Sequence, residues 1–138
     1  MATTVRKAVR IATEGTQPKG TRVGLVAVTG IYSLTTSLTV GDTIQMVKVP
    51  AGATLVYAAL TGGSGDALVA LGDGIDDDRY TAYVTMAAAT QTVVRGITTY
   101  VAPYTYSTDD TIDITVSTVS VSTLIGGFHL TAIFSMDT

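Results

Sequence analysis

The chain has no cysteine, no tryptophan and one histidine in 138 residues. Without cysteine its folding does not depend on redox state, and no compartment is implied. The histidine, His129, has no acid or nucleophile near it in sequence and sits where alternation predicts the wet face of a strand, so it reads as a surface residue. Glutamate is nearly missing too. Glu14 is the sole one and each Asp lies in or beside turn-like sequence, which leaves little from which to build the paired carboxylates of a glycosidase. No nucleophile-elbow or zincin motif occurs. The chain therefore reads as non-enzymatic, with no cofactor expected. Charge is scarce as well: charged residues are 14% of the chain against 46% hydrophobic, where an ordinary domain has about 25% charged. So little charge implies apolar surface buried against another chain. No apolar run approaches the roughly 18 to 20 residues of a membrane-spanning helix. An outer-membrane barrel is set aside because the aromatics do not recur at strand ends and Met1 to Glu14 lacks the apolar core of a secretory signal. No membrane partner is expected.

What charge there is lies unevenly. Met1 to Arg22 holds five basic residues and one acid, a net of +4, and the remainder carries −7. Val5, Val9 and Ile11 share one side of an extended chain with Lys7, while Arg6, Ala8 and Arg10 share the other. Residues 1–21 are thus expected to form an extended basic arm that docks on an acidic partner, and residues 22–138 the folded domain. A frayed terminus is the plainer reading of the same segment. A chain of this length buries roughly two-thirds of its unfolded surface as one domain.

The body alternates as strands do. Ile112, Ile114 and Val116 alternate with polar residues, as do Phe128, Leu130, Ala132, Phe134 and Met136. Both runs read as half-buried strands with a wet outer face. Arg22–Thr29 and Ala53–Thr61 are apolar on both faces, as expected where a strand meets the core on one side and a second layer or subunit on the other. Further strands are expected at Thr43–Val49, Ala67–Leu71, Arg79–Thr85 and Thr98–Tyr106, with turns at Gly41-Asp42, Pro50-Ala51-Gly52, Gly62-Gly63-Ser64-Gly65 and Ser107 to Asp110. Met86–Thr92 is the one stretch that suits a helical turn. About eight short strands with turn-marked spacing mean an all-β fold, a single antiparallel β-sandwich or a barrel.

Two local patterns stand out. Asp42-Thr43-Ile44 and Asp110-Thr111-Ile112 each open a strand, the Asp being placed to accept backbone N–H groups at the preceding turn. The cluster Asp73-Gly74-Ile75-Asp76-Asp77-Asp78 is the most site-like feature. Asp73, Asp76 and Asp78 are the candidate Ca²⁺ ligands there, although the EF-hand frame with its terminal Glu is absent. The plainer reading is a polar turn whose carboxylates cap backbone groups, with Arg79 placed to pair with one of them; no metal is assigned. Tyr80, Tyr83, Tyr100, Tyr104 and Tyr106 suit either a shallow aromatic platform for sugars or strand packing.

Four runs carry a family resemblance: Gly41–Leu60 (GDTIQMVKVPAGATLVYAAL), Gly65–Thr85 (GDALVALGDGIDDDRYTAYVT), Tyr106–Ser117 (YSTDDTIDITVS) and Phe128–Met136 (FHLTAIFSM). In this order they resemble small structural proteins encoded beside the major capsid gene of tailed bacteriophages. The resemblance implies a head decoration or cement protein with a jelly-roll-like sandwich, usually a homotrimer on the capsid exterior of the virion. Its partner would be the major capsid protein, and no specific nucleic acid is expected. The same group holds proteins of unassigned virion position, so a tail or baseplate component stays open, as does a carbohydrate or cell-surface binding module. Arg6, Lys7 and Arg10, with Val5, Val9 and Ile11, are the residues expected to reach the capsid.

Overall fold

A chain offering alternating β-branched and polar residues between turn residues has one regular structure open to it, and the described residues adopt it. The computed structural model describes residues 5–7, 24–33, 38–64, 67–86, 91–95, 104–119 and 125–136. They form β1 (Val5–Lys7), β2 (Gly24–Ser33), β3 (Thr43–Val49), β4 (Ala53–Ser64), β5 (Ala67–Asp73), β6 (Thr81–Met86), β7 (Gln91–Arg95), β8 (Asp110–Val119) and β9 (Ile125–Met136). No helix of the described residues is long and apolar enough to cross a membrane.

The strands make two sheets, one ordered β1-β3-β8-β5-β6 and the other β2-β9-β4-β7. Antiparallel pairs nest inside one another: β2 with β9, β3 with β8, β4 with β7, and β5 with β6. Contacts of β9 with β4 and of β8 with β5 complete the sheets. Nested pairs whose strands are shared between two facing sheets are the wiring of a jelly roll. The expected all-β sandwich is therefore the observed one. Among the described residues the one parallel pair is β1 on β3, with Val5 opposite Thr43 and Lys7 opposite Gln45, so part of the basic arm adds a strand to the edge of its own sheet.

The two inward faces supply the core. Ile44, Val47, Val49, Leu71, Ile112 and Ile114 come from one sheet and Leu55, Leu60, Leu130 and Phe134 from the other, all essentially inaccessible to water. Each such side chain contributes roughly 1.5–3 kcal/mol relative to leaving it exposed. Met46 is buried beside Val47 because the ladder with β8 skips a residue between Gln45 and Val47. A bulge of this kind puts two neighbours on one strand against one on the other.

Glycine accounts for the differences from the expected boundaries. The strand expected to end at Thr29 continues as β2 through Gly30 to Ser33. A Cβ at Gly30 would lie 2.2 Å from the Met46 carbonyl oxygen of the other sheet; the residue is glycine because backbone approaches it. Gly62-Gly63-Ser64, expected as a turn, forms the end of β4, where Gly62 pairs with Phe128 and Ser64 with Ile125. The helical turn expected at Met86–Thr92 is not formed by its described residues: Met86 closes β6, and Gln91 and Thr92 open β7, which pairs with β4. The run Thr92-Val93-Val94 is β-branched and takes the strand that β4 offers. In the strand expected at Thr98–Tyr106, the described part, Tyr104 to Tyr106, makes an isolated bridge from Thr105 to Thr54; the rest lies outside the described residues.

Candidate functional site

The acidic segment begins where β5 ends, and its first carboxylate organises it. Asp73 Oδ1 accepts hydrogen bonds from the backbone N–H of Ile75 (3.0 Å) and of Asp76 (2.9 Å), and Oδ2 accepts one from Arg79 Nε. The Asp73 N–H donates to the Asp76 carbonyl at 2.8 Å, and the chain returns with the Tyr80 N–H on the Leu71 carbonyl at 2.9 Å. Asp73 is buried, and the Arg79 side chain is mostly so. The guanidinium carbon lies 3.8 Å from the centre of the Tyr104 ring, a favourable cation–π placement. Tyr104 in turn meets Tyr106 edge to face, with centroids 5.0 Å apart, and the Tyr106 and Tyr80 hydroxyls share a buried hydrogen bond. Burial lifts both phenols above their ordinary range.

The loop folds back over the outer face of its own sheet. Gly72 stands opposite Asp113 in the β5–β8 ladder, and a Cβ on Gly72 would lie 2.1 Å from the Asp76 carbonyl oxygen. Only a residue without a side chain lets the loop cross there. The loop and the sheet enclose a cleft of about 350 Å³, with Thr43, Gln45, Asp113 and Thr115 on the sheet side and Gly74, Ile75 and Asp77 on the loop side. Asp113 is 3% exposed. It accepts a hydrogen bond from the Thr111 hydroxyl, which itself receives Gln45 Nε2 at 3.5 Å, while Asp113 Oδ1 has no partner among the described residues. Burial above all, and then the charges of Asp110 and Asp73, push the Asp113 carboxyl up to about 6, against the Thr111 hydrogen bond, which lowers it.

Of the candidate Ca²⁺ ligands, the structure turns Asp73 inward, with both oxygens engaged by the loop and Arg79. Asp76 and Asp78 stand with Asp77, their carboxylates within 4.8 Å of one another. Asp77 and Asp78 are open to water, and a hydrogen bond and the charge of Asp76 raise the Asp78 carboxyl. Val5, Arg6 and Lys7 lie in β1; Val9, Arg10 and Ile11 lie outside the described residues. Asp113 is what sequence reasoning missed. Alternation set it on a wet face, and it does point away from the core, but the loop covers it. Gly72 beside Asp73 was the available signal.

The tyrosines are divided rather than gathered. Tyr80 and Tyr106 are core, Tyr104 is half-buried beneath Arg79, Tyr83 is exposed, and Tyr100 lies outside the described residues. The described ones make no flat aromatic platform.

The other sheet presents a different surface. Leu25 (71% exposed), Ala27, Thr29 and Ile31 (47%) on β2 stand opposite Ser135, Ile133, Thr131 and His129 on β9, and Thr54, Tyr57, Ala59 and Thr61 of β4 continue the same rows. Val56, at the bulge in β4, is 40% exposed. His129 is exposed, as expected, and none of the other side chains named on this face is charged at neutral pH. This matches the doubly apolar reading of Arg22–Thr29 and Ala53–Thr61.

No family model matches the sequence, and no curated protein matches it. Solved structures do share the fold. A chain in the capsid of Ralstonia phage GP4 superposes with a TM-score of 0.78 at 14% identity, over 97% of this chain and 99% of that one. A chain of the cyanophage Pam1 capsid asymmetric unit gives 0.67 at 16% identity, over 91% and 96%. A chain of the acid-stable capsid of Helicobacter pylori bacteriophage KHP30 gives 0.59 at 11%, over 83% and 90%. At these identities the shared property is the jelly roll, matched nearly end to end.

Proposed function

We propose that this chain is a virion structural protein, a decoration or cement protein on the exterior of a tailed-phage head, with the major capsid protein and further copies of itself as partners. The observation that carries the reading is the match to a chain of a phage capsid, which spans 97% of this chain and 99% of that one. The described surface supports it. A sheet face exposing Leu25, Ile31 and Val56 suits burial between neighbouring subunits. A cement protein needs no bond-making chemistry. It binds the expanded shell in preference to its precursor, and mass action adds that binding free energy to the stability of the expanded form. A trimer engaging several capsid subunits gains further through effective concentration, and the basic residues Arg6, Lys7 and Arg10 are the ones assigned to reach them.

The test is the molar ratio of this chain to the major capsid protein in purified particles, by quantitative mass spectrometry. A ratio near one is expected for a protein spread over the shell. A handful of copies would move it to the tail, baseplate or a vertex, and absence would refute the virion reading. Deleting Met1 to Arg10 is expected to abolish binding to expanded heads; undiminished binding would remove the arm from the interface.

A further inference from the structure

A carboxylate oxygen buried without a partner is a costly thing to keep, and folded proteins rarely keep one that nothing binds. Asp113 Oδ1 is such an atom, and its residue lines the cleft between β3, β8 and the loop that crosses Gly72. Thr43, Gln45 and Thr115 of the sheet and Asp77 of the loop line the same cleft, and each offers oxygen. We propose that this cleft is a binding site for a hard divalent cation of the Ca²⁺ class, held on Asp113 Oδ1.

The donor chemistry selects the class. Every group named is an oxygen ligand, the chain has no cysteine, and its one histidine is on the other sheet. Thiolate- and imidazole-seeking metals are poorly served, whereas Ca²⁺ takes carboxylate, carbonyl, amide and water oxygens in flexible geometry. A volume of about 350 Å³ leaves room for the waters that complete a shell of roughly six to eight oxygens. Local charge points the same way. The charges that act on Asp113 are those of Asp110 and Asp73, both of its own sign. Arg79 is committed to Asp73 and Tyr104, and Lys48 is placed opposite Thr111 in the ladder rather than opposite Asp113. The basic residue in Asp113's own row is Lys7, which stands opposite Gln45 and two strands from Asp113. The site differs from the trio Asp76, Asp77 and Asp78, whose carboxylates crowd together at the water-facing side of the loop; Asp77 alone borders both.

The test uses the purified full chain, stripped with a chelator and titrated with CaCl₂, followed by calorimetry and by backbone amide NMR shifts. Saturable binding is expected below about 10 mM, with the shifts concentrated at Thr43, Gln45, Gly72, Asp113 and Thr115. Asp113→Asn should weaken it by about tenfold or more while melting, without calcium, no lower than the parent. Asp78→Asn should leave it within about twofold, as expected for a residue outside the shell. The proposal is overturned by the absence of saturable heat and shifts, by binding that survives Asp113→Asn and is lost in Asp78→Asn, or by guanidinium chloride at matched low concentration saturating these amides where Ca²⁺ does not. That last result would assign the cleft to a basic side chain. Because the experiment needs no capsid, its outcome is separate from that of the virion reading.

Discussion

Asp73 and Asp113 are both buried carboxylates, separated by what their oxygens touch. Asp73 is matched by a guanidinium and two loop N–H groups. Replacing it with alanine leaves the mostly buried Arg79 with only its longer contact to Asp76, at 3.9 Å, and two N–H groups without their acceptor. Asp73→Ala should cost about 3 kcal/mol, read as a lowered midpoint of urea denaturation. Asp113 has the opposite problem. In the folded chain its carboxyl binds a proton near pH 6; in the unfolded chain it does so near pH 4. Between these values the folded state holds more protons than the unfolded one, so this residue's contribution makes stability fall as pH rises from about 4 to about 6 and stay level above that. The whole limb is on the order of 3 kcal/mol. Denaturation in chelator-containing buffers should show it in the parent and not in Asp113→Asn. Above about pH 7 the variant should be the more stable, by about 1–2 kcal/mol.

Among the elements, the crossing of the acidic loop over β5 depends on one missing side chain. Gly72→Ala places a Cβ where the Asp76 carbonyl oxygen and the Asp77 backbone now sit, so the loop must lift. A loss of about 2–3 kcal/mol is expected, with faster hydrogen exchange confined to residues 73–79 and little change in β2 or β9. Far milder effects would mean that the loop rests on Gly72 less closely than the geometry has it. The same position shows what sequence alone could reach. Alternation correctly placed β8 and β9, because each has one face on the core and its period survives in the residues, and turn-bounded or doubly apolar runs placed β3, β4 and β5. The repeated Asp-Thr-Ile marked two strands that turn out to be neighbours, Ile44 opposite Ile114 and Val47 opposite Ile112. Asp42 does accept a backbone N–H, that of Thr39 at 2.9 Å. What failed was the reading of Gly62 as a turn and the strand end set at Thr29, before Gly30; at both glycines the reason for glycine lies across the sandwich in another strand. Asp113 failed for a related cause. Period two tells which way a side chain points, not what folds over it, and the covering loop comes from β5.

At the scale of the whole molecule the two sheets differ in character, one roofed by an acidic loop and the other exposing Leu25, Ile31 and Val56. If the open face is where subunits meet, Ile31→Glu should abolish self-association and attachment to expanded heads. It should leave the monomer within about 0.5 kcal/mol of the parent, since Ile31 is half-exposed and outside the core. Sedimentation of the variant, alone and with heads, checks both. The nested wiring has another consequence, which concerns time. Thr29 lies beside Thr131, 102 positions further along the chain, so the outermost pair cannot close until β9 has been made. During translation β2 must wait with one edge unclaimed. Chains wired by such distant pairings fold in milliseconds to seconds rather than microseconds. If particles take up many copies of this chain, they draw on a pool of subunits finished well after their first strands leave the ribosome.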